Sequence, residues 1–251
     1  MKKLTVIIPT YNEALHIEAA IKSVLFADEI LIVDSFSSDE TIQLAKRYPV
    51  TIIQRDYEYS ASQKNWAIPQ AKYDWVFILD ADERVTVELK EEILEILQNP
   101  PETITGFWVY RKNHFVNQHI NYSGWQNDKV IRLFKKNQCQ YEDKRVHAEI
   151  ETSGNLAFLK HKLEHFSFIS VDQYIAKLNR YANWQAQDYD YKTGRITPYH
   201  LFFKPTWRFI KHYLVQQGFR DGLPGFTISY LQAYAVVMRY IKLWILRKSK
   251  K

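Results

Sequence analysis

The run Trp75-Val76-Phe77-Ile78-Leu79 is apolar throughout and stops on Asp80-Ala81-Asp82-Glu83. An apolar run this short, without alternation, reads as a strand buried on both faces, the kind found in the middle of a parallel sheet. Ligands of open α/β sheets bind beyond the carboxyl ends of such strands. Asp80 and Asp82 lie two apart, so extended geometry points both to one side. Two hard oxygen donors so placed suit Mg²⁺ or Mn²⁺, which can in turn hold a diphosphate. The plain alternative is a solvated turn, because Asp-x-Asp often arises by chance.

The preceding chain supplies three more strand-helix units. Leu4 to Ile8 is a β-branched run that Pro9 is expected to end, and Asn12 is an N-cap for a helix carrying Ile17, Ile21 and Val24. Glu29 to Val33 is a second strand ending on Asp34, and Ser35 to Asp39 opens a second helix. Val50 to Ile53 is the third strand, and Ser60 caps a helix running to about Ala71. Four such units in a row argue a Rossmann-like parallel sheet. Thr86 then caps a helix that Pro100-Pro101 terminates. Beyond it, β-rich pieces at Gly106 to Tyr110, Val130 to Phe134, Arg145 to Glu151 and Leu163 to Phe168 read as a mixed second half of the same domain. Val171 to about Tyr191 reads as a helix, which sets a first domain at 1–195 and an extension at 196–251.

The extension differs in charge. From Lys204 onward ten Lys and Arg stand against one acid, Asp221, a local +9 within a chain of net +6. Abundant Trp and Tyr among those cations suit basic amphipathic helices lying on an anionic membrane surface. A break at Gly222 to Gly225 is expected to separate two such helices, the second running from Phe226 to Arg247. No stretch of eighteen apolar residues reads as a transmembrane helix. The lone Cys139 and the lack of a leader ahead of the first strand fit a reducing, cytoplasmic setting.

Three strand-end loops carry polar groups: Thr10-Tyr11-Asn12-Glu13, Asp34 to Asp39, and Asp80 to Glu83. In a parallel sheet they share one edge, so Glu13, Asp34, Asp39, Asp80 and Asp82 can converge there, although helix capping explains the first three about as well. Neither a GxGxxG loop nor a Walker loop is present, which disfavours a dinucleotide enzyme and a P-loop enzyme. A bound diphosphate would then need a metal at Asp80 and Asp82, with Lys64 helping.

The segments Val6-Ile7-Ile8-Pro9-Thr10-Tyr11-Asn12-Glu13, Ile32-Val33-Asp34-Ser35 with Ser38-Asp39, Gln63-Lys64-Asn65 and Leu79-Asp80-Ala81-Asp82-Glu83 resemble family 2 glycosyltransferases of the GT-A fold. Gly124-Trp125 with Asp128, Arg132-Leu133-Phe134, Arg145-Val146-His147 and Leu163-Glu164-His165-Phe166 look like a bacterial subgroup that includes lipopolysaccharide-core β-glucosyltransferases. The resemblance implies a GT-A, Rossmann-like mixed sheet flanked by helices. It places Thr10, Tyr11, Asn12, Glu13, Asp34 and Asp39 near the nucleotide of a UDP-sugar and Lys64 near its diphosphate. Asp80 and Asp82 would bind ribose and metal, Mn²⁺ or Mg²⁺, with His165, or else His147, as a further ligand. Inverting transfer also needs a base. Where many relatives have a glutamate directly after Val-His, this chain has Ala148 and then Glu149, so the base stays open between Glu149 and Asp128. Trp125 stacks on a sugar or packs its own loop. The acceptor implied is a glycolipid or saccharide at the cytoplasmic face of the inner membrane, and no nucleic acid is expected. The rival reading is a non-catalytic nucleotide- or polyanion-binding module on the same fold.

Overall fold

Short β-branched and apolar runs make the strands that position the site. The computed structural model describes residues 1–144 and 148–249. Its elements are β1 (Leu4–Thr10), α1 (Ile17–Ser23), β2 (Glu29–Asp34), α2 (Thr41–Ala45), β3 (Thr51–Gln54), α3 (Ser60–Ala67), β4 (Trp75–Ile78), β5 (Glu83–Arg84), α4 (Val87–Gln98) and β6 (Ile104–Phe115). There follow β7 (Gln118–His119), β8 (Lys129–Lys135), β9 (Cys139–Tyr141), β10 (Ile150–Thr152), β11 (Asn155–Phe158), β12 (Leu163–Phe168), α5 (Val171–Asp190), α6 (Lys204–Ile210) and α7 (Gly222–Ser249).

Strands β3-β2-β1-β4 are parallel, as the four-unit pattern predicts. The sheet becomes mixed at β8, which runs antiparallel to both β4 and β6. Val76 and Ile78 are buried with Ile7, Leu31 and Val33 on one face, and Phe77 and Leu79 with Val6, Ile8 and Ile32 on the other. Burial on both faces is why these strands do not alternate in polarity. Each such side chain contributes about 1.5–3 kcal/mol by leaving water. Helix α4 closes one face with Leu89, Ile93 and Leu97, and its Thr86 cap accepts from the Leu89 amide at 3.2 Å.

Three local expectations are corrected. Pro9 does not end β1, which continues to Thr10. Pairing with β4 stops at Ile7↔Ile78, so Pro9 sits where no ladder bond on that side requires its missing N–H. Asn12 is not the cap of α1: it takes a left-handed φ of 55°, and the helix starts after His16. Tyr59, not Ser60, precedes the first turn of α3.

Packing groups the chain differently from a boundary at residue 195. One compact unit comprises Met1–Arg111 and Asp128–His165, the other Lys112–Asn127 and Phe166–Lys251. In the second, α5 and α7 bury Tyr174, Leu178, Ile228 and Leu231 around Phe115 and Phe168. Gly222 to Gly225 begins α7 and does not break it. Pro224 falls in the first turn, where an N–H has no helical partner anyway. At Gly225 a Cβ would lie 1.9 Å from the Gly218 carbonyl oxygen, so only glycine allows that approach. No helix of the described residues is long and apolar enough to cross a membrane.

Candidate active site

The first two strand-end loops are tied together by side chains. The Asn12 amide donates to Ser37 Oγ at 2.9 Å and its Oδ1 accepts from the Ser38 amide at 2.8 Å. The Glu13 amide donates to Thr41 Oγ1 at 2.7 Å, and the Ala14 amide to Asp39 Oδ2 at 3.1 Å. Asp39 also accepts from the Thr41 amide at the start of α2, so it ties the helix to the neighbouring loop. Asp34 is fully buried beneath them and accepts from the Ser37 amide and from Gln54 Nε2 at 2.9 Å. Thr10 is buried beside it, and Tyr11 is exposed at the rim.

The end of β4 is organised by charge. Lys64, on α3, reaches Asp80 Oδ1 at 2.9 Å, and Arg132 from β8 pairs with Asp80 Oδ2. Arg132 also pairs with Glu83 at 2.6 Å, Glu83 with Arg111 at 3.3 Å, and Arg111 holds Asp128 bidentately at 2.8 and 3.0 Å. Three cations thus alternate with three carboxylates in one ladder. Burial opposes the charge of Asp80, but Arg132 and then Lys64 hold its carboxyl well below the usual range. Burial likewise opposes the charge of Lys64, and Asp80 more than restores it, raising that ammonium. Glu83 is fully buried and also accepts from the Asp80 amide at 3.0 Å, which fixes the turn between the two aspartates.

Asp82 faces another partner. Pairing of β12 with β5 sets His165 opposite Glu83, and His165 Nε2 lies 3.3 Å from Asp82 Oδ2. Glu13 approaches from the first loop. Its carboxyl is pushed up to about 7, first by burial and then by Asp82, Asp80 and Asp39. Glu13 thus feels the charges of Asp82, Asp80 and Asp39, while Asp34 lies buried beneath the first two loops. Arg84 spans Asp82 and the start of α1, donating to the Ala81 and His16 carbonyls at 2.7 and 3.0 Å. The Asp82 carboxylate suits either Mn²⁺ or Mg²⁺, whereas an imidazole nitrogen at His165 favours Mn²⁺ over the harder Mg²⁺. Asp80 could join them only by exchanging a cation partner. Among the described residues no three such donors are already grouped as a metal site.

The candidate bases differ. Asp128 has both oxygens on Arg111. Glu149 is exposed just before β10, its amide donating to Glu142 Oε2 at 3.0 Å. Trp125 packs edge-on against Phe115 and Tyr174, the structural one of its two expected roles. His147, with Arg145 and Val146, lies outside the described residues. Sequence reading gave no role to Arg132, Arg111, Glu83 or Arg84. Arg132 had a signal: an arginine within the apolar β8 run Val130 to Phe134 must find buried partners.

The profile of Glycosyl transferase family 2 matches residues 5–165, well over half the chain. The chain belongs to that family. It is a glycosyltransferase, and its fold is of the GT-A type. It is 30% identical to the lipopolysaccharide core biosynthesis glycosyltransferase LpsC of Rhizobium meliloti over 89% of this chain and 85% of LpsC. It is 28% identical to an uncharacterized glycosyltransferase of Rickettsia prowazekii, over 97% of this chain and 87% of that protein. The crystal structure of S. aureus TarS 1-349 aligns over 98% of this chain and 92% of that one, at 14% identity and a TM-score of 0.48.

Proposed function

We propose that the chain moves a hexose, glucose foremost, from a UDP-sugar to a lipopolysaccharide-core or other glycolipid acceptor, with inversion and with a divalent metal. The observation that carries this is the meeting of Asp82 with His165 beside Asp80, Glu13 and Lys64 at the end of β4. LpsC, by its name, works in lipopolysaccharide core biosynthesis, and that supports the acceptor class. The reaction is a displacement in which an acceptor hydroxyl attacks the anomeric carbon, its proton passes to a base, and UDP leaves. Asp82 and His165 would hold the metal, whose positive charge would offset that of a departing diphosphate. Lys64 and Arg132 add fixed positive charge beside it. Thr10, Tyr11, Asn12 and Glu13, with Asp34 and Asp39 shaping their loop, line the nucleotide side. Glu149 is the proposed base, because Asp128 is committed to Arg111. The enzyme is proposed to work at the cytoplasmic face of the inner membrane, held there peripherally through 204–251. Family membership makes the chain a transferase, so the non-catalytic alternative is not carried further.

The test is UDP release from UDP-glucose with and without Mn²⁺. Asp82→Asn should lower turnover by about 10²-fold or more while leaving thermal unfolding nearly unchanged, as expected for a group that stabilises developing charge. Glu149→Gln should cost roughly 10²-fold with UDP affinity intact. An active Glu149→Gln beside an inactive Asp128→Asn would transfer the role of base to Asp128.

A further inference from the structure

Helix α7 has two apolar faces, and its own unit covers only one. At 100° per residue, Gly225, Ile228, Ser229, Val236, Arg239, Tyr240 and Leu243 fall on one side, and all are buried. The opposite side carries Leu223, Phe226, Tyr230, Ile241, Trp244 and Ile245, which are 76%, 43%, 59%, 36%, 53% and 49% exposed. All six lie within about 60° of the Leu223 direction, a stripe of the width that normally faces a core. From Leu223 to Ile245 it spans about 33 Å, with its exposed residues between Leu223 and Tyr230 and again between Ile241 and Ile245, and residues 231–240 buried or half-buried between the two stretches. At its amino-terminal end the stripe widens into a connected aromatic cluster. Phe226 meets Phe209 at 5.8 Å, Tyr213 at 5.9 Å and Tyr230 at 6.3 Å between ring centroids, and Tyr213 meets Phe219 at 6.4 Å. Apolar patches of this extent on a protein surface mark an interaction site.

The charges decide the occupant. Arg239, Lys242 and Arg247 spend donors on Gln185, Asn179 and Asp190 of α5, and Lys204 on Tyr240. Those four hold the unit together. Exposed Lys211, Arg220 and Lys248 remain at its surface, Lys248 over the Trp244 ring at 5.2 Å. The one acid of the segment, Asp221, is turned inward, accepting from the Asn121 and Tyr122 amides and from Ser123 Oγ. A second copy of the chain would bring the same +9 segment against this surface and be repelled. An anionic bilayer offers the opposite charge, a headgroup layer suited to Trp and Tyr, and an apolar interior for Leu223 and Ile241.

We propose that the Leu223–Ile245 stripe of α7, with the aromatic cluster at its start, is the face that inserts into an anionic lipid surface, and that the opposite face holds the helix to α5. This deepens the peripheral placement proposed above: insertion, in addition to charge attraction, retains the enzyme. Binding should therefore have two parts. Attraction by the cations weakens as salt screens it, whereas the inserted stripe leaves a salt-resistant remainder.

The experiment is co-sedimentation of the full-length protein with vesicles of phosphatidylglycerol and phosphatidylcholine, and with phosphatidylcholine alone, across a salt series. The exposed pair Leu223→Glu/Trp244→Glu is compared with wild type, with far-UV circular dichroism and light scattering as controls. Wild type should bind the anionic vesicles, keep part of that binding at high salt, and bind neutral ones at least tenfold less. The double variant should fold normally and lose the salt-resistant part. Full binding by a folded variant overturns the proposal, as does a wild-type dimer that the substitutions separate. UDP release from UDP-glucose is read in the absence of lipid, so failure of insertion and failure of the transferase reading are distinguishable.

Discussion

Two parallel strands on either side of β1, β2 and β4, both lead to a carboxylate, and the two are balanced in opposite ways. Asp34, at the end of β2, is fully buried and takes hydrogen bonds from the Ser37 amide and hydroxyl, Gln54 Nε2 and Thr10 Oγ1, all neutral donors. Asp80, just beyond β4, keeps 32% of its side chain exposed and faces two cations, Lys64 and Arg132. Neutral donors fixed by the backbone hold a loop in one shape. Ion partners can be exchanged for a metal or a phosphate, because what they supply is charge. One strand end is therefore a floor and the next is the place where charge changes hands.

The largest effect that would break this contrast lies at Arg132. It is buried between Asp80 and Glu83, so Arg132→Met leaves a fully buried Glu83 and an underbalanced Asp80. Removing one partner of a buried ion pair costs about 3–5 kcal/mol. Urea unfolding should show that loss, and Arg132→Lys, with its charge but no fork, a smaller one. Wild-type stability in Arg132→Met would mean that the ladder does not balance Asp80.

Glu13 gives a smaller effect with a definite sign. Its carboxyl is raised from 4.5 to about 7 by burial and by Asp82, Asp80 and Asp39. Between those values the folded chain keeps a proton that the unfolded chain has released, so stability falls as pH rises through the window. Below it the penalty is absent, and above it fully present. At 1.36 kcal/mol per unit the bound is about 3 kcal/mol, reduced by solvent screening at this partly exposed side chain. Urea midpoints between pH 4.5 and 7 should fall for wild type and stay nearly level for Glu13→Gln. An unchanged slope in the variant would place the titration on another group.

The same contrast explains what could be read from the chain alone. The β4 run and its carboxylates were legible because burial on both faces leaves an unbroken apolar string and a strand end is abrupt. The nearness of Glu13 to the charges of Asp39, Asp80 and Asp82 followed from parallel topology. The ladder was not legible, since Arg111, Arg132 and Glu83 meet through pairings of β4, β8 and β6 that no local spacing encodes. The left-handed Asn12 and the start of α7 at Gly222 were missed for a related reason. Asn12 is set by contacts with Ser37 and Ser38, about 25 positions away, and Gly225 is chosen by its approach to Gly218. Nor could the tail be split into a docked and an outward face, because two opposed apolar faces cancel in any periodicity.

The smallest effect is at Asp34, and it sharpens the comparison from the neutral side. Asp34→Asn keeps Oδ1 for the Ser37 hydroxyl and, at 3.3 Å, the Ser37 amide, but turns Oδ2, which accepts from the Ser37 amide at 3.0 Å and from Gln54 Nε2, into an amide nitrogen. A Gln54 side chain that rotates to present its oxygen restores the bond to Gln54. The cost should then be that of one weakened hydrogen bond, about 1 kcal/mol. No ion pair is broken, so the loss should hardly change between low and high salt, whereas the loss in Arg132→Met should change with it. Urea unfolding of both variants at two ionic strengths makes the comparison direct. A loss in Asp34→Asn as large as that in Arg132→Met would show that the charge of Asp34, and not its hydrogen-bond geometry, holds the loops.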